Sequence, residues 1–112
     1  MQICLLRLLS LLRLLLLLRL LRLLGRGALN VNELIGILNM GQSRISRHLK
    51  ILAESELVVN RREGTWIYYQ WNEGSTPLVS DTLAHLQRHE QSLPHYTEDL
   101  QHLEVLIERR KE

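Results

Sequence analysis

Asn30-Val31-Asn32-Glu33-Leu34-Ile35-Gly36-Ile37-Leu38, then Met40-Gly41, then Gln42-Ser43-Arg44-Ile45-Ser46-Arg47-His48-Leu49-Lys50-Ile51-Leu52 is the stretch on which the fold turns. Asn30 with Glu33 three residues on fits a capping box, in which each side chain satisfies the other residue's backbone N–H. The short helix that follows puts Leu34, Ile37 and Leu38 on one side, and Met40-Gly41 breaks it. A second helix is expected from about Gln42 to Ser55, with an apolar stripe of Ile45, Leu49 and Leu52. At about 100° per residue, the opposite face carries Ser43, Arg47 and Lys50, flanked by Arg44 and Ser46. No carboxylate occurs from Gln42 through Ala53. A solvated helix face ordinarily mixes charge signs, so a face of Ser, Arg and Lys suits phosphates and guanine edges. Two helices of this kind form a helix-turn-helix whose second member enters the major groove. An ordinary helical hairpin with a basic outer face fits the two helices equally well.

The next segment favours the first reading. Leu57-Val58-Val59-Asn60-Arg61-Arg62 and Thr65-Trp66-Ile67-Tyr68-Tyr69-Gln70-Trp71 are β-prone runs separated by Glu63-Gly64, a hairpin in which Gly64 takes the positive φ of the turn. Arg61 and Arg62 near the tip, with Thr65 across the turn, offer a second contact to backbone or minor groove. One solubilising arginine at a turn would be ordinary; two beside a basic helix point to a polyanion.

Working outward, residues 5–24 are almost entirely Leu, broken by Arg7, Arg13, Arg19 and Arg22, and end at the helix stop Gly25-Arg26-Gly27. The longest uncharged run between arginines there, 14–18, is far below the ~20 residues that span a bilayer. On a helical wheel the four arginines scatter, which argues against a membrane-surface helix. Asn72-Glu73-Gly74-Ser75-Thr76-Pro77 reads as a linker, and two helical patterns divided at Pro94 occupy 78–111. The expected organisation is one domain of 112 residues. Its parts are Leu/Arg-rich helices over 5–24, a helix-turn-helix over 30–55, a wing over 57–71 and C-terminal helices over 78–111. The fold class is mainly α with a two-stranded β-hairpin wing.

The formal charge of +2 hides an asymmetry. Residues 1–71 hold ten Lys/Arg and four Glu, whereas residues 72–112 hold four Lys/Arg and eight Asp/Glu. A basic front and acidic back suggest that the front meets a polyanion. Cys4 is the only cysteine, so no intrachain disulfide forms, and a reducing, cytoplasmic setting is expected.

At this point the residues carry a resemblance. Met40-Gly41-Gln42-Ser43-Arg44-Ile45-Ser46-Arg47-His48-Leu49, with Leu57-Val58 and Arg61-Arg62-Glu63-Gly64-Thr65-Trp66-Ile67-Tyr68-Tyr69, resembles the ArsR/SmtB winged-helix repressors from about Arg19 to Trp71. The resemblance implies a homodimer joined through its first and last helices, with repression relieved by an effector. Two departures stand out. Leu14-Leu15-Leu16-Leu17 occupies the place of the family's Asp-Pro-Thr-Arg-like turn, so the N-terminal helices are free to run together. The family's thiolate sensors carry Cys-x-Cys before the turn, where this chain has Asn30 and Asn32. Amides do not replace thiolates toward soft metals. The form of the helix, with Leu103-Glu104 and Glu108-Arg109-Arg110 at the end, also resembles the regulator half of ArsR-type proteins fused to an S-adenosylmethionine-dependent methyltransferase, whose catalytic half would begin after Glu112.

His85, His89, His95 and Glu98 lie where some members of that family bind zinc, but Pro94 interrupts the helix and the spacing fits poorly, so neither metal nor cofactor is expected. No nucleophile elbow, P-loop or dinucleotide loop is present, and Glu98-Asp99 and Glu54/Glu56 read as solvated polar faces. The chain is therefore expected to be non-enzymatic: a dimeric regulator of double-stranded DNA, with no membrane partner. Its expected contacts are Gln42, Ser43, Arg44, Ser46, Arg47, His48 and Lys50 on the helix and Arg61, Arg62 and Thr65 on the wing. His48, beside the apolar stripe, is suited to packing or to a phosphate hydrogen bond. The alternative is a protein-interaction module that keeps the winged fold without binding DNA.

Overall fold

The computed structural model describes residues 2–111, without the side chains of residues 2–6 and 8–10. The side chain of Cys4, and those of Leu5, Leu6, Leu8, Leu9 and Ser10 in the expected dimer segment, thus lie outside the described residues.

The chain runs α1 (Gln2–Leu24), β1 (Leu29–Asn30), α2 (Val31–Leu38), α3 (Gln42–Glu54), β2 (Val58–Glu63), β3 (Trp66–Trp71), α4 (Pro77–His89) and α5 (Tyr96–Lys111), with a 3₁₀ turn over Glu90–Ser92. The N-terminal segment is one continuous helix. It contains no Gly or Pro, and Leu and Arg are both strong helix formers, so nothing replaces the missing turn. It stops where expected, at Gly25.

The capping box is formed: Glu33 N–H donates to Asn30 Oδ1 at 2.9 Å, and Asn30 N–H to Glu33 Oε1 at 3.0 Å. The break before α3 is made one residue earlier than Met40-Gly41. Asn39 takes the left-handed conformation (φ 55°, ψ 48°), and Gly41 is the N-cap of α3. Asn tolerates that region better than branched residues do.

The expected two-stranded hairpin wing forms, from β2 and β3, and a short third strand joins it. β1 pairs antiparallel with β3, through Leu29 with Tyr69 and Asn30 with Tyr68, giving a three-stranded sheet in the order β1-β3-β2. A two-residue strand leaves no period to read in a sequence. The hairpin register is Val58–Trp71 through Glu63–Trp66, so the turn residues are Gly64 and Thr65 rather than Glu63 and Gly64. Gly64 has φ 63°, the conformation for which glycine is suited.

The core gathers Leu20, Leu23, Leu24 of α1, Leu34 of α2, Ile45 and Leu49 of α3, Val58 of β2, and Leu83 and Leu103 from α4 and α5. Much of the C-terminal region and of α1 thus packs within its own chain, where the sequence suggested a dimer core. Leu11, Leu12 and Leu14 remain 62 %, 46 % and 50 % exposed. The base of the wing is fastened to α1. Trp71 Nε1–H donates to Leu21 O at 2.6 Å, and the indole lies so close to Gly25 that a Cβ there would sit 2.4 Å from a ring carbon.

Between α1 and α5 lies a buried polar cluster that sequence reasoning missed. Asp99, read as solvated, is 1 % exposed, and Arg22 equally so. Arg19 grips Asp99 with both Nε (to Oδ2, 3.0 Å) and Nη2 (to Oδ1, 2.9 Å), while Arg22 Nη2 also donates to Oδ2 at 2.7 Å. Arg22 also donates to the carbonyls of Glu90, Leu93 and Pro94, and its guanidinium lies 5.5 Å from the Tyr96 ring centroid. Arg19 and Arg22 are three apart and therefore share a helix face. The wheel that scattered four arginines hid this pair.

Candidate nucleic-acid interface

Helix α3 lies over the core with Ile45, His48, Leu49 and Leu52 buried. Its outer face presents Gln42, Ser43, Arg44, Arg47 and Lys50 to solvent, with Ser46 half-buried at the edge. Among the described residues, the side chains of Arg44, Arg47 and Lys50 make no ion pair or intramolecular hydrogen bond. Three unspent cations on one exposed face, without a carboxylate from Gln42 to Ala53, make a surface complementary to phosphate. His48 does not belong to that face. It is 4 % exposed, and its Nδ1 donates to Arg44 O at 2.7 Å. The carbonyl can only accept, so Nδ1 carries the proton; Nε2 is buried without a partner.

The wing places its cations differently from one another. Alternation puts Arg61 on the same face as Glu63, Trp66, Tyr68 and Gln70, and Arg62 on the face of Ile67. Arg61 Nε donates to Glu63 Oε1 at 2.9 Å and Nη1 to Gln70 Oε1 at 2.7 Å, with the guanidinium 5.7 Å from the Tyr68 ring centroid. Arg62 has one neutral partner, Gly64 O at 3.3 Å. Thr65 is exposed at the turn.

Two further contacts fix α5 against the helix-turn-helix. His102 Nδ1 donates to Ile37 O at 2.9 Å, and Arg110 binds the Glu33 carboxylate that closes the capping box. Its hydrogen bond to Glu33 raises the Arg110 pKa against an opposing desolvation. The metal candidates do not converge. The His85 and His89 rings are 4.7 Å apart, and His95 Nδ1 meets Glu98 Oε2 at 3.4 Å. Among the described residues no three His, Cys, Asp or Glu gather at one point.

A capped helix, a tight turn, an exposed basic helix and a sheet-based hairpin define a winged helix-turn-helix protein. Residues 17–59 match the bacterial regulatory protein, arsR family. The chain is 40 % identical over 60 residues to the arsenical resistance operon repressor of Bacillus subtilis, covering 53 % of this chain and 57 % of that one. It is 46 % identical over 46 residues to the arsenic resistance transcriptional regulator ArsR2 of Pseudomonas putida, covering 41 % and 40 %. It therefore spans little more than half the length of these relatives, or less. Among solved structures, reduced HlyU from Vibrio cholerae superposes with a TM-score of 0.50 at 33 % identity, covering 63 % of this chain and 74 % of that one. The adhesin competence repressor AdcR from Streptococcus pyogenes shares the fold, with a TM-score of 0.52 at 20 % identity over 85 % and 75 %. The chain belongs to the arsR family of bacterial regulatory proteins.

Proposed function

We propose that this chain binds double-stranded DNA as a dimeric transcriptional regulator, acting as a repressor in the cytoplasm, and that it is not an enzyme. The observation that carries the reading is the outer face of α3: Arg44, Arg47 and Lys50 exposed, unpaired within the described residues and free of neighbouring carboxylates. In this reading Ser43, Arg47 and Lys50 reach the major groove, Gln42, Arg44 and Ser46 meet flanking phosphates, and the wing contacts the adjacent groove. His48 acts from beneath, by holding α3 to the core. The curated relatives that are named as repressors, and the family's description as regulatory, support the same reading.

Dimerisation is supported by exposed Leu11, Leu12 and Leu14 on α1 and by Val105, 52 % exposed on α5. Large exposed apolar side chains on the terminal helices are in keeping with an interface there. No helix among the described residues is long and apolar enough to cross a membrane, in keeping with a regulator that works on DNA.

The test is duplex binding as a function of salt. Affinity is expected to fall at least about tenfold between about 50 and 200 mM salt, because each neutralised phosphate releases condensed counterions. Folded protein that fails to bind at low salt, or binds without salt dependence, would favour the interaction-module alternative.

A further inference from the structure

We infer that the tip of the wing is an apolar wedge, in which Trp66 packs into the DNA minor groove and Arg62, on the opposite face of the ribbon, meets the flanking phosphates, while Arg61 serves only to neutralise Glu63. This rests on the proposed DNA binding and assigns the wing's contact to a residue that sequence reasoning passed over.

The tip is unusual in what it exposes. Trp66 and Ile67, the first residues of β3, are 47 % and 43 % exposed, whereas Tyr69 and Trp71 at the base pack against the core. Successive residues point to opposite faces of a ribbon, so both faces of the tip are apolar. A chain of this size has core positions for large side chains, and β-propensity alone is served by Thr or Val. Two bulky apolar residues at the far end of a hairpin therefore call for a partner.

Charge identifies that partner. Glu63 lies directly across from Trp66 and, left alone, would repel a phosphate backbone. Arg61 removes that obstacle. Its guanidinium is spent on Glu63 and Gln70 and rests over Tyr68, which neutralises the Glu63 carboxylate within the wing. Arg62 keeps its full charge, being held only by the carbonyl of Gly64. The tip is thus a net cation around an apolar blade, which suits a polyanion with apolar surface inside a narrow channel. Minor grooves accept apolar wedges together with arginine in this way.

The reach is appropriate. From Val58, buried at the base, to Glu63 at the tip is five residue steps, about 17 Å at the ~3.3 Å rise of a strand. Half a duplex turn is also about 17 Å, the offset between a major groove and the neighbouring minor groove. A wing rooted beside a helix in the major groove can bring its tip to the next groove.

The experiment is fluorescence anisotropy of labelled duplex DNA, with A·T-rich and G·C-rich sequences, across salt concentrations. The parent is compared with Trp66→Ala, Trp66→Phe, Arg61→Ala and Arg62→Ala. Trp66→Ala is expected to weaken binding about tenfold at every salt concentration without changing the salt slope, as an aromatic contact would. Trp66→Phe should retain most of the affinity. Arg62→Ala should lower the slope by about one phosphate, and Arg61→Ala by less. Acrylamide quenching gives an independent readout, because Trp66 emission should become shielded on binding. Trp66 is exposed and outside the core, so circular dichroism of Trp66→Ala should match the parent. If the parent binds with steep salt dependence but Trp66→Ala binds within twofold of it, the wedge is refuted while DNA binding stands. A drop in the slope of Trp66→Ala would also refute it, by reducing Trp66 to a support for the arginines. If the folded parent does not bind, the DNA reading itself fails.

Discussion

Replacing Asp99 by Asn is the sharpest test of how this fold is held together. The carboxylate receives three guanidinium N–H bonds, two from Arg19 and one from Arg22. Arg22 keeps the carbonyls of Glu90, Leu93 and Pro94, whereas Arg19 has no other partner among the described residues. An amide whose oxygen takes the place of Oδ2 keeps the bonds from Arg19 Nε and Arg22 Nη2, but its N–H₂ then faces Arg19 Nη2. One bond is thus lost, and the negative charge between the two guanidiniums is removed. Hydrogen bonds to charged groups contribute about 1.5–3 kcal/mol each, and removing one partner of a buried ion pair costs about 3–5 kcal/mol. The lost bond is only part of the cost, and with two cations left without their buried counter-charge the loss should be about 3–5 kcal/mol, against a total of about 5–15 kcal/mol for a typical domain. At about 4 °C per kcal/mol for a chain near this size, the melting temperature should fall by about 12–20 °C. Urea denaturation at fixed protein concentration measures the loss, read as a lower midpoint with an unchanged slope. Adding Arg19→Met to Asp99→Asn removes one of the stranded cations and should recover at least about 1 kcal/mol, since an apolar side chain suits that site. A loss below about 1 kcal/mol for Asp99→Asn would show that water reaches the cluster. A double variant no better than Asp99→Asn would show that the charge left on Arg19 is not what costs stability.

The other expectations concern DNA, the interface and the effector. Arg47→Ala should cost about 1–3 kcal/mol on a preferred site and flatten the preference between sites, as measured by competition binding; a uniform loss would demote Arg47 to a phosphate contact. Leu11→Lys with Leu14→Lys should shift sedimentation toward a monomer without lowering helicity, and an unchanged dimer would place the interface elsewhere. Arsenite and cadmium should leave the DNA complex intact, because Asn30 is committed to its capping box and a dimer supplies only two copies of Cys4. Release that disappears in Cys4→Ser would refute this.

How much of this was legible depended on which interactions are local in sequence. The capping box joins residues three apart, the turn glycine is adjacent to its strands, and the stripes of α2 and α3 repeat within one or two turns. Each left a pattern that one segment suffices to show. The wing's third strand left none, because β1 has two residues and exists only through Tyr68 and Tyr69. His48 was ambiguous for a different reason. It sits at the boundary of the apolar stripe, where a wheel cannot separate a buried ring from a grazing one. Among the candidate contacts, α3 presents five on its open face and Ser46 at its edge, but their engagement with DNA is a matter for the binding assays above.

The charge pattern teaches the most, because its first explanation was incomplete. The excess of arginine before residue 71 and of carboxylates after it suggested a front aimed at a polyanion. Arg19, Arg22 and Arg26 instead meet Asp99 and Glu90 of the same chain, separated from them by 64 to 80 residues. Part of the asymmetry is therefore internal stitching of α1 to α5 and to the turn before it. Arg110 with Glu33 ties α5 to α2 with the signs reversed. Once these pairs are set aside, the cations left exposed and unpaired around the proposed interface are few: Arg44, Arg47 and Lys50 on α3, and Arg62 on the wing. They lie on the two elements that a winged helix presents to a duplex. A regional charge count cannot separate a buried pair from an exposed cation, whereas the packing of α1 on α5 does. That packing also concentrates the case for DNA binding on a much smaller set of residues, so four single substitutions are enough to test it.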